Sequence, residues 1–512
     1  MTRKIIRDIP LNRVEGDLEI RVELDQGRIV DAWSSGTLFR GFENMMIGRG
    51  ALDGLVITPR VCGICSTTHL MAAAKALDQI AGASVPDNAL RLRNLTLMVE
   101  HCQSDVRHSL LMFLPDLTAS LYEKHPLHPK ALRRYTPLTG ERCVDAVRQT
   151  KTLLEIVAIL GGQWPHSSFM VPGGVTYVPA LAELDRCRHI LKRYRSWYES
   201  SVLGCPIERW QQLTSAADLE SWLAESPAHR DSDTGFFLCF AADTAFRSMG
   251  RGHGNFISCG SLDLPSDSAV GGRGGQLVAA GFLARDGQLQ PFDQTRVAEH
   301  VAHSWYADYP GGRHPSEGVT DPQATGAEGK KYSWGKAPRY LDQPAETGPL
   351  AERIIGADPL FCDLLRRDGA NLMLRQLARI TRPATLLPAM ETWLDEMIAR
   401  PEQSYYQAVP PLENGRGFGL IEATRGILGH WVEIERGKIA RYQIVTPTAW
   451  NGSPRDSAGV RGPWEEALIG TAIADIDNPV EAGHVVRSFD ACLVCTVHAV
   501  GLGRRADSPF HC

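Results

Sequence analysis

Nowhere among the 512 residues is there a run of about 18 uncharged apolar side chains, the length a membrane-spanning helix requires, so the chain is not expected to insert into a bilayer. The opening stretch MTRKIIRDIPLNRVEGDLEI alternates charged and apolar residues and lacks the continuous apolar core of a secretion signal. Charge of one sign is scarce too. Lys+Arg at 54 against Asp+Glu at 59 leave a formal charge of -5, which gives no reason to expect nucleic acid or an anionic membrane as partner. Twelve irregularly spaced cysteines do not make the disulfide framework of a secreted protein. Metal binding and buried thiols in a reducing compartment fit better. Low-complexity tracts are missing, as are repeats beyond two cysteine motifs. The length allows several ordinary domains or one large, elaborated one, with the usual hydrophobic share of a soluble globular protein.

What is present centres on those motifs. RVCGICSTTHL carries Cys62, Cys65 and His69, and SFDACLVCTVH carries Cys492, Cys495 and His498. A C-x-x-C turn aims two sulfurs at one point, so two such turns brought together offer four thiolates to a metal. From spacing alone the commoner outcome is a four-thiolate zinc pinning distant parts of the chain together.

Ahead of the first motif, residues 16–34 alternate about the turn Asp25-Gln26-Gly27 and predict a β-hairpin. Helical patterns cover 70–84, 88–114 (with Asp87 as N-cap), 140–160, 180–202 and 215–225. Residues 161–179 read as loop, and 230–300 as short strands with glycine-rich turns. The segment 305–350 shows no periodicity, and a loop of that length is expected to pack over a functional or partner surface. Helices return over 350–400, with Pro388 marking a break. Strands are expected over 417–446 about a Glu-Arg-Gly turn, and a helix over 463–474.

NRVEGDLEI, FRGFE at 39–43, RVCGICSTTH, PHSSFMVPGGV, YSWGKAPRY followed by GPLA, ATRGILGHW, TPTAWNGSPRD and DACLVCTVH stand in order from residue 12 to 498. With this set the chain resembles the large subunit of nickel–iron hydrogenases. The resemblance implies an α+β, mainly helical fold with a long-helix core and small peripheral β regions, as one catalytic domain over 1–498. It implies a nickel–iron centre with cyanide and carbon monoxide on the iron. Cys62 and Cys492 would be terminal nickel ligands, and Cys65 and Cys495 would bridge both metals. Glu15 matches the proton-accepting glutamate, and Arg425 the arginine whose guanidinium overhangs the metals. Asp116 is expected to hold that arginine, with Asp490 as second anchor. Thr448 matches a hydroxyl that bonds a cyanide nitrogen, and His69 is expected to bond a bridging sulfur. Glu43, His498 and the backbone carbonyl of Ile444 correspond to magnesium ligands. The eight remaining cysteines are expected mostly as buried small apolar side chains.

Two departures stand out. Asp490-Ala491-Cys492 replaces the family's D-P-C, and Thr424 precedes Arg425 where proline is common, which loosens backbone at the site's edge. The tail 499–512 resembles the peptide that family members lose on maturation. The implied activity is cleavage of H2, in the uptake direction. Electrons would pass to an iron–sulfur small subunit, since no further cluster motif exists here. A maturation chaperone and an endopeptidase are implied as further partners. The wording of VEGDLEI and CLVCTVH points to a cytoplasmic enzyme, peripheral at the membrane through its partners. The rival readings are a hydrogen sensor, disfavoured by His69 and the tail, and a zinc-pinned assembly protein. A respiratory-complex relative is disfavoured by the intact cysteines.

Overall fold

The computed structural model describes residues 5–16, 18–326 and 329–492. Cys495, His498 and the tail 499–512 therefore lie outside the described residues. The expected α+β, mainly helical architecture is found.

The expected hairpin is the inner part of a three-stranded antiparallel sheet, β1 (Ile5–Pro10), β2 (Leu18–Asp25) and β3 (Arg28–Gly36). Gln26 and Gly27 both take positive φ, the backbone a tight two-residue hairpin needs. Leu18, Ile20, Val22 and Leu24 alternate into the core, while β1 is an edge strand with Ile5 and Ile6 exposed.

Long helices form the centre: α1 (Ser66–Ala81), α2 (Asp87–Arg107), α3 (Glu141–Gly161) and α4 (Leu181–Trp197). The second and fourth each run on into a π-helical turn, His108–Phe113 and Tyr198–Leu203. Asp87 is not the N-cap of α2. Pro86 holds that place with extended backbone, and Asp87 is turned outward, where it accepts from the Ser266 N–H at 2.9 Å. A short helix, Ala216–Glu225, lies where expected.

The 230–300 reading needs correction at its start, where Asp233–Ala242 forms helix α5. Its sequence DTGFFLCFAA is apolar on every face and therefore shows no helical period. The expected strands follow as β4 (Phe256–Asp263) and β5 (Gln276–Leu283). The long segment after residue 305 packs over β3 and the FRGFE stretch, where Trp334 stacks on Phe39 with ring centroids 4.5 Å apart. Further on, α6 (Leu372–Thr381) and α7 (Pro383–Ala399) complete the helical core. Pro388 lies inside α7 without ending it, so the expected break is absent.

The strands expected over 417–446 form one meander, β6 (Gly415–Ala423), β7 (Gly426–Glu435) and β8 (Lys438–Val445). β6 lies directly on α1. A Cβ added at Gly419 would stand 1.8 Å from the Ala72 carbonyl oxygen, and one at Gly417 2.4 Å from that of Ala76. Glycine at every second position of GRGFG, facing alanines, is what permits the strand backbone to touch the helix. The helix expected over 463–474 spans only Pro463–Leu468. A last helix, α8 (Val480–Ser488), was not expected from the sequence. Among the described residues, no helix is long and apolar enough to cross a membrane.

Candidate metal centre

Cys62 and Cys65 sit in the turn that enters α1, with Cys65 as its N-cap. The positive end of a helix dipole therefore stands behind these sulfurs and favours thiolate over thiol. The neighbouring amides are engaged by a buried carboxylate, as Glu100 of α2 accepts from the N–H groups of Thr67 (2.8 Å) and Thr68 (3.0 Å). Cys492 arrives from the other side, after α8 and a turn in which Asp490 takes φ +61°. Its N–H donates to the Thr448 hydroxyl oxygen at 3.0 Å. Glu15 pairs with it across a parallel β-bridge, the Glu15 N–H donating to the Ala491 carbonyl at 3.2 Å.

These contacts bring the Cys62 and Cys492 sulfurs to 3.7 Å, and the Sγ atoms of Cys62, Cys65 and Cys492 all lie within 4.8 Å of one another. None is more than 5 % exposed. A disulfide would hold its sulfurs at about 2 Å. Thiolates on the corners of a tetrahedron around one metal, at bonds of about 2.3 Å, stand about 3.8 Å apart. The donor set therefore fits a thiolate-bound metal. Its expected fourth member, Cys495, lies outside the described residues, as does His498.

Arg425, in the turn between β6 and β7, has its Nε 2.9 Å from Asp490 Oδ1 and its Nη1 3.3 Å from the Thr424 hydroxyl. Burial opposes its charge, but Asp490 and the sulfurs of Cys492, Cys65 and Cys62 overcome that and push its pKa well up. The guanidinium is thus a permanent cation facing the cysteines. Burial raises the Glu15 carboxyl, with Arg425 pulling the other way and Cys62 and Asp490 adding to the rise. A half-buried carboxylate of raised pKa beside Cys492 is placed and tuned to take a proton.

Asp116 does not hold Arg425. It accepts from Arg13 and, at 2.6 Å, from Arg487 of α8, and lies 3.5 Å from His484. Those cations outweigh burial and keep its pKa low. Arg487 also donates to the Asn12 carbonyl, so Asp116 ties the segment leading to Glu15 onto α8. Among the described residues, the side chains of Asp490 and Thr424 contact the Arg425 guanidinium.

His69 is buried with its pKa lowered to about 4, chiefly by loss of water, and is neutral. Its Nδ1 lies 3.1 Å from His430 Nε2, and His430 Nδ1 lies 2.9 Å from the Tyr442 hydroxyl. The sequence reading missed His430, although it stands in the ATRGILGHW motif. Its signal was the unexplained histidine in a strand otherwise made of core residues.

Glu43 is 4 % exposed and accepts from the Ile444 N–H at 2.8 Å and from the Thr320 hydroxyl. The Lys336 ammonium stands 3.5 Å from Glu43 and from Glu299, and donates to Gln443 Oε1 at 2.7 Å. Oxygen donors dominate this cluster, as a magnesium site requires, with Lys336 already supplying one positive charge.

Cys102, Cys143, Cys187, Cys205 and Cys259 are buried free thiols, as expected of packing residues, and Cys239 and Cys362 are partly so. Burial pushes the Cys143 thiol up to about 11 and Cys187 to about 12, so neither is a ready nucleophile.

Comparison with known proteins shows the family. The family model of nickel-dependent hydrogenases matches residues 40–113 and 237–498. The periplasmic NiFeSe hydrogenase large subunit of Desulfomicrobium baculatum is 33 % identical over 96 % of this chain and 94 % of its own length. The uptake hydrogenase large subunit of Rhizobium leguminosarum bv. viciae is 28 % identical over 97 % and 95 %. Among solved structures, the reduced, active form of the Desulfomicrobium baculatum enzyme superposes with a TM-score of 0.81 at 32 % identity, covering 97 % of this chain and all of that one.

Proposed function

From the premise that this chain belongs to the nickel-dependent hydrogenases, we propose that it is the catalytic subunit of an H2-oxidising enzyme working in the uptake direction. It is a hydrogenase large subunit, an oxidoreductase acting on H2. One observation carries the residue-level reading: sulfurs 430 positions apart in sequence meet at 3.7 Å, close enough to the buried Arg425 for their charge to raise its pKa.

In this reading Cys62, Cys65, Cys492 and Cys495 would hold a nickel–iron centre with cyanide and carbon monoxide on its iron. Bound there, it supplies the heterolytic cleavage of H2. The protein's share is placement and proton handling. Arg425 holds a fixed positive charge over the sulfurs, where it stabilises negative charge in a site closed to water. Glu15, locked by backbone pairing to Cys492, accepts the proton. Thr448 receives the Cys492 N–H on its oxygen, leaving its own hydrogen for a cyanide nitrogen. His69, oriented by His430, would serve as a neutral donor to a bridging sulfur. Glu43, with the Ile444 carbonyl and His498, would hold magnesium beside Lys336.

Electrons leave through a small subunit carrying iron–sulfur clusters. A chaperone loads the metals and an endopeptidase removes 499–512; the family match ending at residue 498 supports that boundary. The motifs favour a cytoplasmic enzyme held at the membrane by partners, whereas the Desulfomicrobium relative is named periplasmic. Fractionation of native cells separates the two locations.

The test is metal analysis and turnover on the protein purified from a host that matures it. Nickel and iron, infrared bands of metal-bound cyanide and carbonyl, and H2-dependent dye reduction are expected. Zinc alone, without those bands, would leave the zinc-pinned reading. The full bands with turnover too slow for metabolism would make the protein a sensor.

A further inference from the structure

Arg375, Arg379 and Arg382 follow one another along α6 and its C-cap at spacings of four and three, which sets all three on one helix face. Each is only 2–3 % exposed. Burying three like charges side by side is costly unless each is paired. Arg375 grips both oxygens of Glu346 at 2.6 and 2.8 Å and lies 3.9 Å over the ring of Phe489. Arg382 donates to both oxygens of Asp105 at 2.8 Å and to Glu352 at 2.7 Å. Arg379 stands between them and reaches three acceptors: the Asp490 carboxylate (3.2 Å), the Phe489 carbonyl (3.2 Å) and the Thr424 carbonyl (3.3 Å). Arg382 donates to the same Thr424 carbonyl at 2.7 Å.

The two segments gripped this way are the two that orient Arg425. Thr424 is the residue before it, and Asp490 is the carboxylate paired with it, two residues before Cys492. We propose that Arg379 is a positioning residue for the hydrogenase reaction, fixing the Arg425 guanidinium over the cysteines by holding its backbone and its counter-ion at once. The inference rests on the function proposed above. It also accounts for threonine at 424, because a carbonyl held by two guanidinium groups has the fixed direction that a proline would otherwise favour. Arg375, Arg379, Arg382 and Arg425 face Glu346, Asp490, Asp105 and Glu352, so the cluster is charge-balanced. Lysine at 379 keeps that balance but lacks the planar fork needed to reach three acceptors. R379K therefore separates geometry from charge.

The experiment uses the matured enzyme with R379K, R379Q, R425K and the double variant R379K/R425K. R379K is expected to keep its nickel and its melting temperature while kcat for H2-dependent dye reduction falls about a hundredfold, with KM for H2 unchanged. R379K/R425K is expected to be no slower than R425K, since Arg379 acts through Arg425. Crystals of metal-free R379K should show the Arg425 guanidinium turned away from Asp490. Wild-type kcat in nickel-loaded R379K overturns the inference, and so does a full further loss in the double variant. Failure of both Arg379 variants to give soluble, nickel-loaded protein overturns it too, making Arg379 a folding residue. Wild-type protein that holds nickel yet oxidises no H2 would sink the function instead, leaving the Arg425 orientation in crystals to judge Arg379.

Discussion

Two aspartates matched by motif to the same arginine separate once side chains are placed. Asp490 pairs with Arg425, whereas Asp116 sits between Arg13 and Arg487. D490N should lower H2 oxidation per bound nickel about a hundredfold or more by releasing the fixed cation, and should also lower the melting temperature, because Arg425 and Arg379 lose their shared carboxylate. D116N strands the buried Arg487 beside a partly exposed Arg13 and should destabilise the protein by about 3–5 kcal/mol. Its activity per bound nickel should stay near that of the wild type. A melting curve and a nickel-normalised assay on both variants check the pair, and the opposite pattern would restore Asp116 as the anchor. E15Q removes the proton acceptor but keeps the shape and the backbone bridge to Cys492. A loss of at least about a hundredfold in H2-dependent dye reduction, with metal content unchanged, is expected. The grouping of Cys62, Cys65 and Cys492 near Arg425 was legible because their motifs are local. The Asp116 assignment was not, because which carboxylate meets which guanidinium depends on how α2 and α8 cross. The R-x3-R-x2-R spacing of α6 was visible, but nothing local says that three arginines face inward.

At the scale of elements, α1 connects the first cysteine turn to the rest of the core and is held from two sides. Glu100 satisfies its first amides, and burial pushes that carboxyl up to about 7, with the Thr68 and Thr67 bonds working the other way. A folded pKa above the unfolded 4.5 means that the folded state keeps its proton longer. The group's contribution is whole below about pH 4.5 and falls as pH rises to about 7, by about 3 kcal/mol. Melting curves of wild type and E100Q should diverge in that window, with the wild type losing ground, and run parallel above it. A difference independent of pH would refute the argument. On the other side β6 leaves no room for a side chain, so G419A must push the strand off α1, at a cost of about 1–3 kcal/mol or more. A lower melting temperature and reduced nickel loading are expected together. The hairpin at 18–36 and the β6–β8 meander were legible from alternation and turns. Helices α5 and α8 were not, because both are buried on nearly every face, and a helix apolar or enclosed all round gives no period to detect.

For the whole molecule, the centre is assembled from residues near both limits of the matched family sequence, so it exists only when the fold between them is complete. Glu15 bridges to Cys492, Arg487 of α8 binds Asn12, and Arg379 of α6 binds the Phe489–Asp490 turn. Cys62, Cys65 and Cys492 are each at most 5 % exposed, so the thiolates lie in the interior of the described fold. In the maturation proposed above, metal loading comes before removal of 499–512. Intact mass of an active, nickel-loaded preparation should correspond to a chain ending at His498, while the metal-free form purified without the maturation proteins should retain Cys512. Active, nickel-loaded protein that still carries Cys512 would show that activity needs no cleavage, and the order of assembly would have to be set by the loading chaperone alone.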